Sequence, residues 1–226
     1  MTTRPLLLAA LAALSIPATD AHAALRPAKA GYQVSFKGLD ASGTMALASQ
    51  GNGRWIYVLG AGNAVASISQ ATTFLEKGDR LIPLGGSDKS DYTLKKQSVV
   101  TRYDWAKGQA TWSGDVKPGR AGPVRLQSGD MDALLVNLAL ARDIAAGKPA
   151  VYRMVENGRA KTVAYKVSGR ETLTIAGRTL DTTRVVQSGG NKMTVAWVAV
   201  GVPFPVRIVQ REGGKETVRL QLTSLG

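Results

Sequence analysis

Asp130 and Asp132 are the nearest approach in this sequence to a catalytic carboxylate pair. They stand two residues apart at the start of a helical segment, where neighbours at that spacing do not share a face. Helix capping and the helix dipole account for both. Asp181-Thr182-Thr183 has part of an aspartic-protease loop but lacks its glycine and has no second copy. Gly60-Ala61-Gly62 follows a strand-like run and begins like a dinucleotide fingerprint. Val65 stands where the third glycine belongs, and the residues beyond alternate as a strand. No helix N-terminus is left to receive a pyrophosphate, so a plain hairpin turn and no cofactor are expected. A glycosidase-type Asp/Glu pair stays open, since two carboxylates need only meet in space.

The stronger constraint is what the chain lacks. It has no Cys and a single His, His22, which falls in an N-terminal targeting segment. Without either residue in the exported chain, Ser-His-Asp and Cys-His nucleophile systems, imidazole acid–base chemistry and ordinary zinc sites are excluded. The expectation is a protein that is not an enzyme and holds no metal.

That targeting segment has three parts. Arg4 precedes an apolar run from Leu6 to Ile16, and Ala21-His22-Ala23 offers small residues for cleavage. The pattern is a secretory signal peptide over residues 1–23, with a core shorter than the roughly 20 residues a membrane span needs. Export to the periplasm is expected, without a lipoprotein anchor, because that anchor needs a Cys. Net charge is +13, and Arg4 and Asp20 cancel, so the exported chain keeps it. The charge is dispersed rather than blocked. It reads first as a solvated basic surface, and next as a face for anionic lipid; export argues against nucleic acid.

The elements that must position any site follow from the periodicity. Ser128 to Gly147 reads as the one helix, over 130–146, with Ser128 or Asp130 as N-cap and Gly147 and Pro149 as the stop. Met131, Leu134, Leu135, Leu138 and Ala145 form one apolar face, while Val136, Leu140 and Ile144 lie opposite. Such a helix needs cover on both sides. The rest alternates as strands with turn signals every 8–12 residues, the clearest being Asn157-Gly158. Leu81-Ile82-Pro83-Leu84 reads as a short edge segment, since Pro83 cannot donate to a central ladder, and Gly85–Ser90 as a polar loop. The fold class is therefore all-β with one main helix. A curved antiparallel sheet, a half-barrel or open barrel, packs the helix on its concave side as meander, helix, meander in a single domain, 24–226.

Five segments in this order carry a resemblance: Tyr32-Gln-Val-Ser-Phe36, Leu81-Ile-Pro-Leu84, Thr101-Arg-Tyr-Asp-Trp105, the Asp130 helix behind a basic loop, and Trp197-Val-Ala with Pro205-Val-Arg-Ile208. Together they resemble the exported bacterial family known as domain of unknown function 3108, across nearly the whole exported chain. One departure is that Tyr92 comes later than the family's aromatic, which reads Gly85–Ser90 as an insertion. The resemblance implies a periplasmic protein of unestablished role. At fold level it is also similar to the half-barrel lipid and lipoprotein carriers of the periplasm.

Joined to the helix pattern, this gives the expected function, a non-enzymatic carrier for an apolar or acylated ligand. Leu134, Leu135, Leu138 and Leu140 are the expected gate, and Trp55, Tyr57, Tyr103, Trp105 and Trp197 the cavity wall. Lys95, Arg102 and Arg207 are expected to meet an anionic headgroup. A charge at Leu138 is then expected to abolish uptake and spare the sheet. The alternative is a cell-envelope scaffold with a solid core, binding a protein or glycan. Void space under the helix separates the two.

Overall fold

The computed structural model describes residues 24–36, 38–92, 95–175 and 177–226. The expected signal peptide lies outside them. Seven strands form the first meander: β1 (Ala28–Phe36), β2 (Leu39–Gly51), β3 (Arg54–Gly62), β4 (Ala66–Lys77), β5 (Arg80–Tyr92), β6 (Lys95–Asp104) and β7 (Gln109–Gly114). A two-residue strand β8 (Val124–Arg125) and the helix α1 (Ala133–Ala145) follow. The second meander holds β9 (Ala150–Glu156), β10 (Arg159–Ile175), β11 (Arg178–Gly189), β12 (Lys192–Ala199), β13 (Arg207–Glu212) and β14 (Lys215–Leu225). All fourteen strands join one antiparallel sheet in the order β8-β7-β6-β5-β4-β3-β2-β1-β14-β13-β12-β11-β10-β9. The two meanders thus meet where β1 pairs with β14, Tyr32 against Leu222. Among the described residues the result is an all-β fold with one helix, its sheet curled into a nearly closed barrel.

Several local expectations meet the ladder directly. The Asn157-Gly158 hairpin forms with φ of 48° and 67°, the left-handed pair that a two-residue turn requires. Gly158 is fixed for a second reason: a Cβ there would lie 2.4 Å from the Arg120 carbonyl oxygen. The segment expected at Leu81–Leu84 is not an edge. It opens β5, a central strand between β4 and β6, and Gly85–Ser90 is strand rather than loop. Pro83 is tolerated because the β4–β5 register slips at Phe74, and pairing with β6 begins only at Gly85.

The barrel closes by overlap rather than by a continuous ladder. Alternation puts Tyr152 and Met154 on the inner face of β9 and Val155 on its back. The inner face of β6–β7 covers that back: Tyr103, Ala110 and Trp112, with Leu126 just after β8, bury Val155 in a small second core. Tyr103 Oη donates to the Val155 carbonyl at 2.9 Å, and burial pushes its phenol pKa far up, keeping it a donor. The chain entering α1 also pairs with β9, Val155 N donating to Met131 O at 2.8 Å.

Asp130 locks this seam. Its carboxylate is buried, accepting from Arg153 Nη1 and from Gln127 N at 2.8 Å. Breaking such a pair from one side strands a buried charge, at a cost of about 3–5 kcal/mol. Arg153→Ala is therefore expected to lower the urea midpoint by that equivalent. The double variant Asp130→Leu/Arg153→Met should recover most of the loss; if it falls further, the pair itself was strongly stabilising.

The helix fills the lumen. Leu134, Leu135, Val136, Leu138, Ala139, Leu140 and Ala141 are all buried, so the helix is covered all round as its sequence requires. It packs against β3, β4 and β5 on one side and β9 and β12 on the other. Asp132, not Ser128 or Asp130, is the N-cap, with Oδ1 accepting from Leu135 N at 2.8 Å. Helical geometry starts at Ala133, later than expected, because Asp130 and Met131 are committed to the seam.

Candidate functional site

Antiparallel alternation sends the β1–β2, β3–β4, β5–β6, β9–β10, β11–β12 and β13–β14 turns to one end of the barrel. The helix runs from mid-barrel toward the opposite end, since it leads into the start of β9. At the turn end the lumen is open, with a cavity of about 690 Å³.

Its walls continue the inward rows of the core. Along β4 the inner residues run Phe74, Thr72, Gln70, Ile68, from packed interior to cavity. Along β9 they run Tyr152, Met154, Glu156. Asp88 on β5, Gln97 and Val99 on β6, and Lys161 on β10 fall on the same inner face. The inward face is apolar around the helix and polar above it. Six cationic residues border the cavity (Lys89, Lys117, Arg120, Arg159, Lys161 and Lys192) against three acidic ones, Asp88, Asp115 and Glu156. Lys89 pairs with Ser69 on the opposite face from Asp88, and Lys192 is paired with Glu212 at 3.8 Å. Arg120 is fixed by donating to the Asn157 carbonyl at 2.9 Å, and Gln70 Nε2 donates to Asp88 Oδ1 at 2.7 Å.

Asp132 stands between this cavity and the core. Thr72 Oγ1 donates to its Oδ2, and Gly86 lies beside that oxygen, where an added Cβ would come within 3.8 Å of it. Burial pushes its carboxyl pKa up to about 6, opposed by the bonds from Leu135 N–H and Thr72 and assisted by Asp88 and Glu156. Glu156 is raised as well, by burial first and by Asp88, with Lys161 pulling it down. Among the described residues no group of acidic side chains converges closely enough to hold a metal ion.

The residues singled out from sequence distribute differently. Trp55, Tyr57, Leu134, Leu135, Leu138 and Leu140 do come together, in the main core. They are packed there: Tyr57 stacks on Phe204 at 5.3 Å, and Trp55 Nε1 donates to Glu76 at 3.1 Å. Tyr103 and Trp105 belong to the seam, Trp105 Nε1 donating to the Pro83 carbonyl at 2.6 Å. Trp197, 9% exposed, belongs to the main buried cluster, but alternation turns it away from Ala196 to the outer face of β12. There the guanidinium groups of Arg184 and Arg207 lie over its ring at 5.8 and 5.2 Å, and its Nε1 donates to Glu171. Arg207 is thus engaged with an aromatic ring on the outer wall, and Arg102 is exposed on the outer side of β6. Lys95 alone of the three cations sits at the open end, opposite Tyr92. None of the twelve lines the cavity.

A gate at Leu138 is not what the packing provides, since that side chain is 1 % exposed within a filled lumen. The cavity residues were passed over because each looks like an ordinary strand charge. Their signal was a phase: Glu156 keeps step with Tyr152 and Met154, so it must face inward.

Among curated proteins none matches this chain. Among solved structures, it is similar to a beta-barrel-like protein of domain of unknown function DUF1849 from Brucella abortus, with 12% identity and a TM-score of 0.49. That match covers 88% of this chain and 96% of the other. The model of a protein family of unknown function, DUF3108, matches residues 25–221, and the chain belongs to that family.

Proposed function

We propose that this is an exported, non-catalytic binding protein of the cell envelope, which takes the anionic, polar part of a ligand into the open end of its barrel. The observation that carries this reading is the cavity border, six cationic residues against three acidic ones around about 690 Å³. Low-dielectric walls focus such a charge excess and favour an anion over water. The absence of Cys, and of His other than His22, supports a binding role over catalysis. An acyl chain is the less supported cargo. It would need the lumen, and the lumen is held by seven buried helix residues. A phosphate or carboxylate group, on an envelope polymer or a lipid headgroup, matches the space that is open.

Titration calorimetry on the exported chain with inorganic tripolyphosphate tests this. Saturable binding is expected, weakened in Lys161→Ala/Lys192→Ala by about tenfold or more per charge-assisted bond lost. No saturable binding, or equal affinity in the double variant, would overturn the assignment.

A further inference from the structure

Three neighbouring turns at the open end carry exposed apolar side chains. Phe36 and Leu39 face each other across the β1–β2 turn, 41% and 58% exposed. Val65 in the β3–β4 turn is 59% exposed, and Tyr92 at the end of β5 is 38% exposed. The tips are tied into one edge. Asn63 Nδ2 donates to the Asp40 carbonyl at 3.0 Å, joining the second turn to the first. Tyr92 pairs with Ala66, the residue after Val65, joining the third to the second. At these exposures the four side chains keep a large share of their apolar surface in water.

Among the described tip residues the charges balance, Lys95 and Lys96 against Asp40 and Asp91, and the excess of cations lies in the adjoining cavity mouth. Lys95 stands opposite Tyr92, and Lys96 beyond it is paired with Asp91 at 2.9 Å. The cavity cations open at the same end, and the chain carries +13. We infer that this edge docks onto the surface of an anionic lipid bilayer. Leu39, Val65, Tyr92 and Phe36 enter the boundary between headgroups and acyl chains, while the lysines meet the headgroups. Buried apolar area and attraction to anionic lipid together set such binding. Protruding apolar tips beside a cation-rich opening suit a soft, negative interface better than the flat apolar centre of a protein interface. The docking stands on the tips alone; only the idea that a headgroup then occupies the cavity rests on the reading above.

Vesicle flotation of the exported chain tests the inference, with phosphatidylglycerol-containing vesicles against pure phosphatidylcholine. Binding to the anionic vesicles is expected. In Leu39→Ser/Val65→Ser/Tyr92→Ser the partition coefficient should fall about tenfold or more, with the circular-dichroism spectrum unchanged because all three are surface positions. Wild-type protein remaining in solution with both vesicles would overturn the inference and point to a protein partner for the edge. Equal binding by the triple variant would overturn it too, leaving charge alone as the cause. Lys161→Ala/Lys192→Ala separates the two readings, since loss of tripolyphosphate binding with tip-dependent flotation intact would leave the docking standing by itself.

Discussion

Leu138→Asp is expected to unfold the barrel. Leu138 lies at the centre of the helix, among Leu134, Leu135 and Leu140, with sheet on both sides. Removing a leucine side chain from such a site costs about 2–5 kcal/mol. A buried, unpaired carboxylate adds several more. The sum reaches the whole stability of an ordinary domain, roughly 5–15 kcal/mol. The expected result is a chain without a cooperative thermal transition, and Leu138→Ala should fall between the two in urea midpoint. A native circular-dichroism spectrum and a near-wild-type melting temperature for Leu138→Asp would show that the lumen yields easily. That is the behaviour a gate needs, and it would restore the acyl-carrier reading.

The second large effect is in pH. Asp132 has its folded-state pKa raised to about 6 from an ordinary 3.8. The folded protein therefore binds that proton more tightly than the unfolded chain does. The stabilisation is complete below about pH 4, is lost as pH rises to about 6, and is absent above. Two pKa units correspond to roughly 3 kcal/mol. Asp132→Asn removes the titration, keeps Oδ1 as acceptor for Leu135 N–H, and reverses the Thr72 bond so that Nδ2–H donates to the hydroxyl oxygen; asparagine caps helices as well as aspartate does. The variant's stability relative to wild type should rise by roughly 3 kcal/mol between pH 4 and 7.5 in urea unfolding. A constant difference across that range would mean that Asp132 is better solvated than its burial implies. Asp132→Ala, losing the cap and leaving the Thr72 hydroxyl without its acceptor, should be destabilised across the range.

What was legible in the sequence was local chemistry. Asn157-Gly158 can hardly do anything but turn, and a helix with Leu134 and Leu140 on opposite faces can only be stable inside something. Hence the curved sheet around one helix could be anticipated. Pro83 misled because a rule about ladders does not reveal a register slip one residue away. Asp130 misled because its partner, Arg153, lies across a seam that only the closed barrel creates. The cavity was hidden for the same reason. Lys161 and Glu156 look like solvent-facing strand charges until the barrel end they point into exists. The aromatic residues drew attention as a cavity wall because large side chains suit both walls and cores, and here the helix had already filled the space between them.

The most direct test of the proposed site is an NMR titration of residues 24–226 with tripolyphosphate and, separately, with a long-chain fatty acid. Amide shifts should follow tripolyphosphate saturably at Glu156, Asn157, Lys161 and Lys192, while the methyl groups of Leu134, Leu135 and Leu138 stay fixed with both compounds. Saturable movement of those leucine methyls with the fatty acid, and none around the open end with tripolyphosphate, would contradict the account and place the binding site in the lumen.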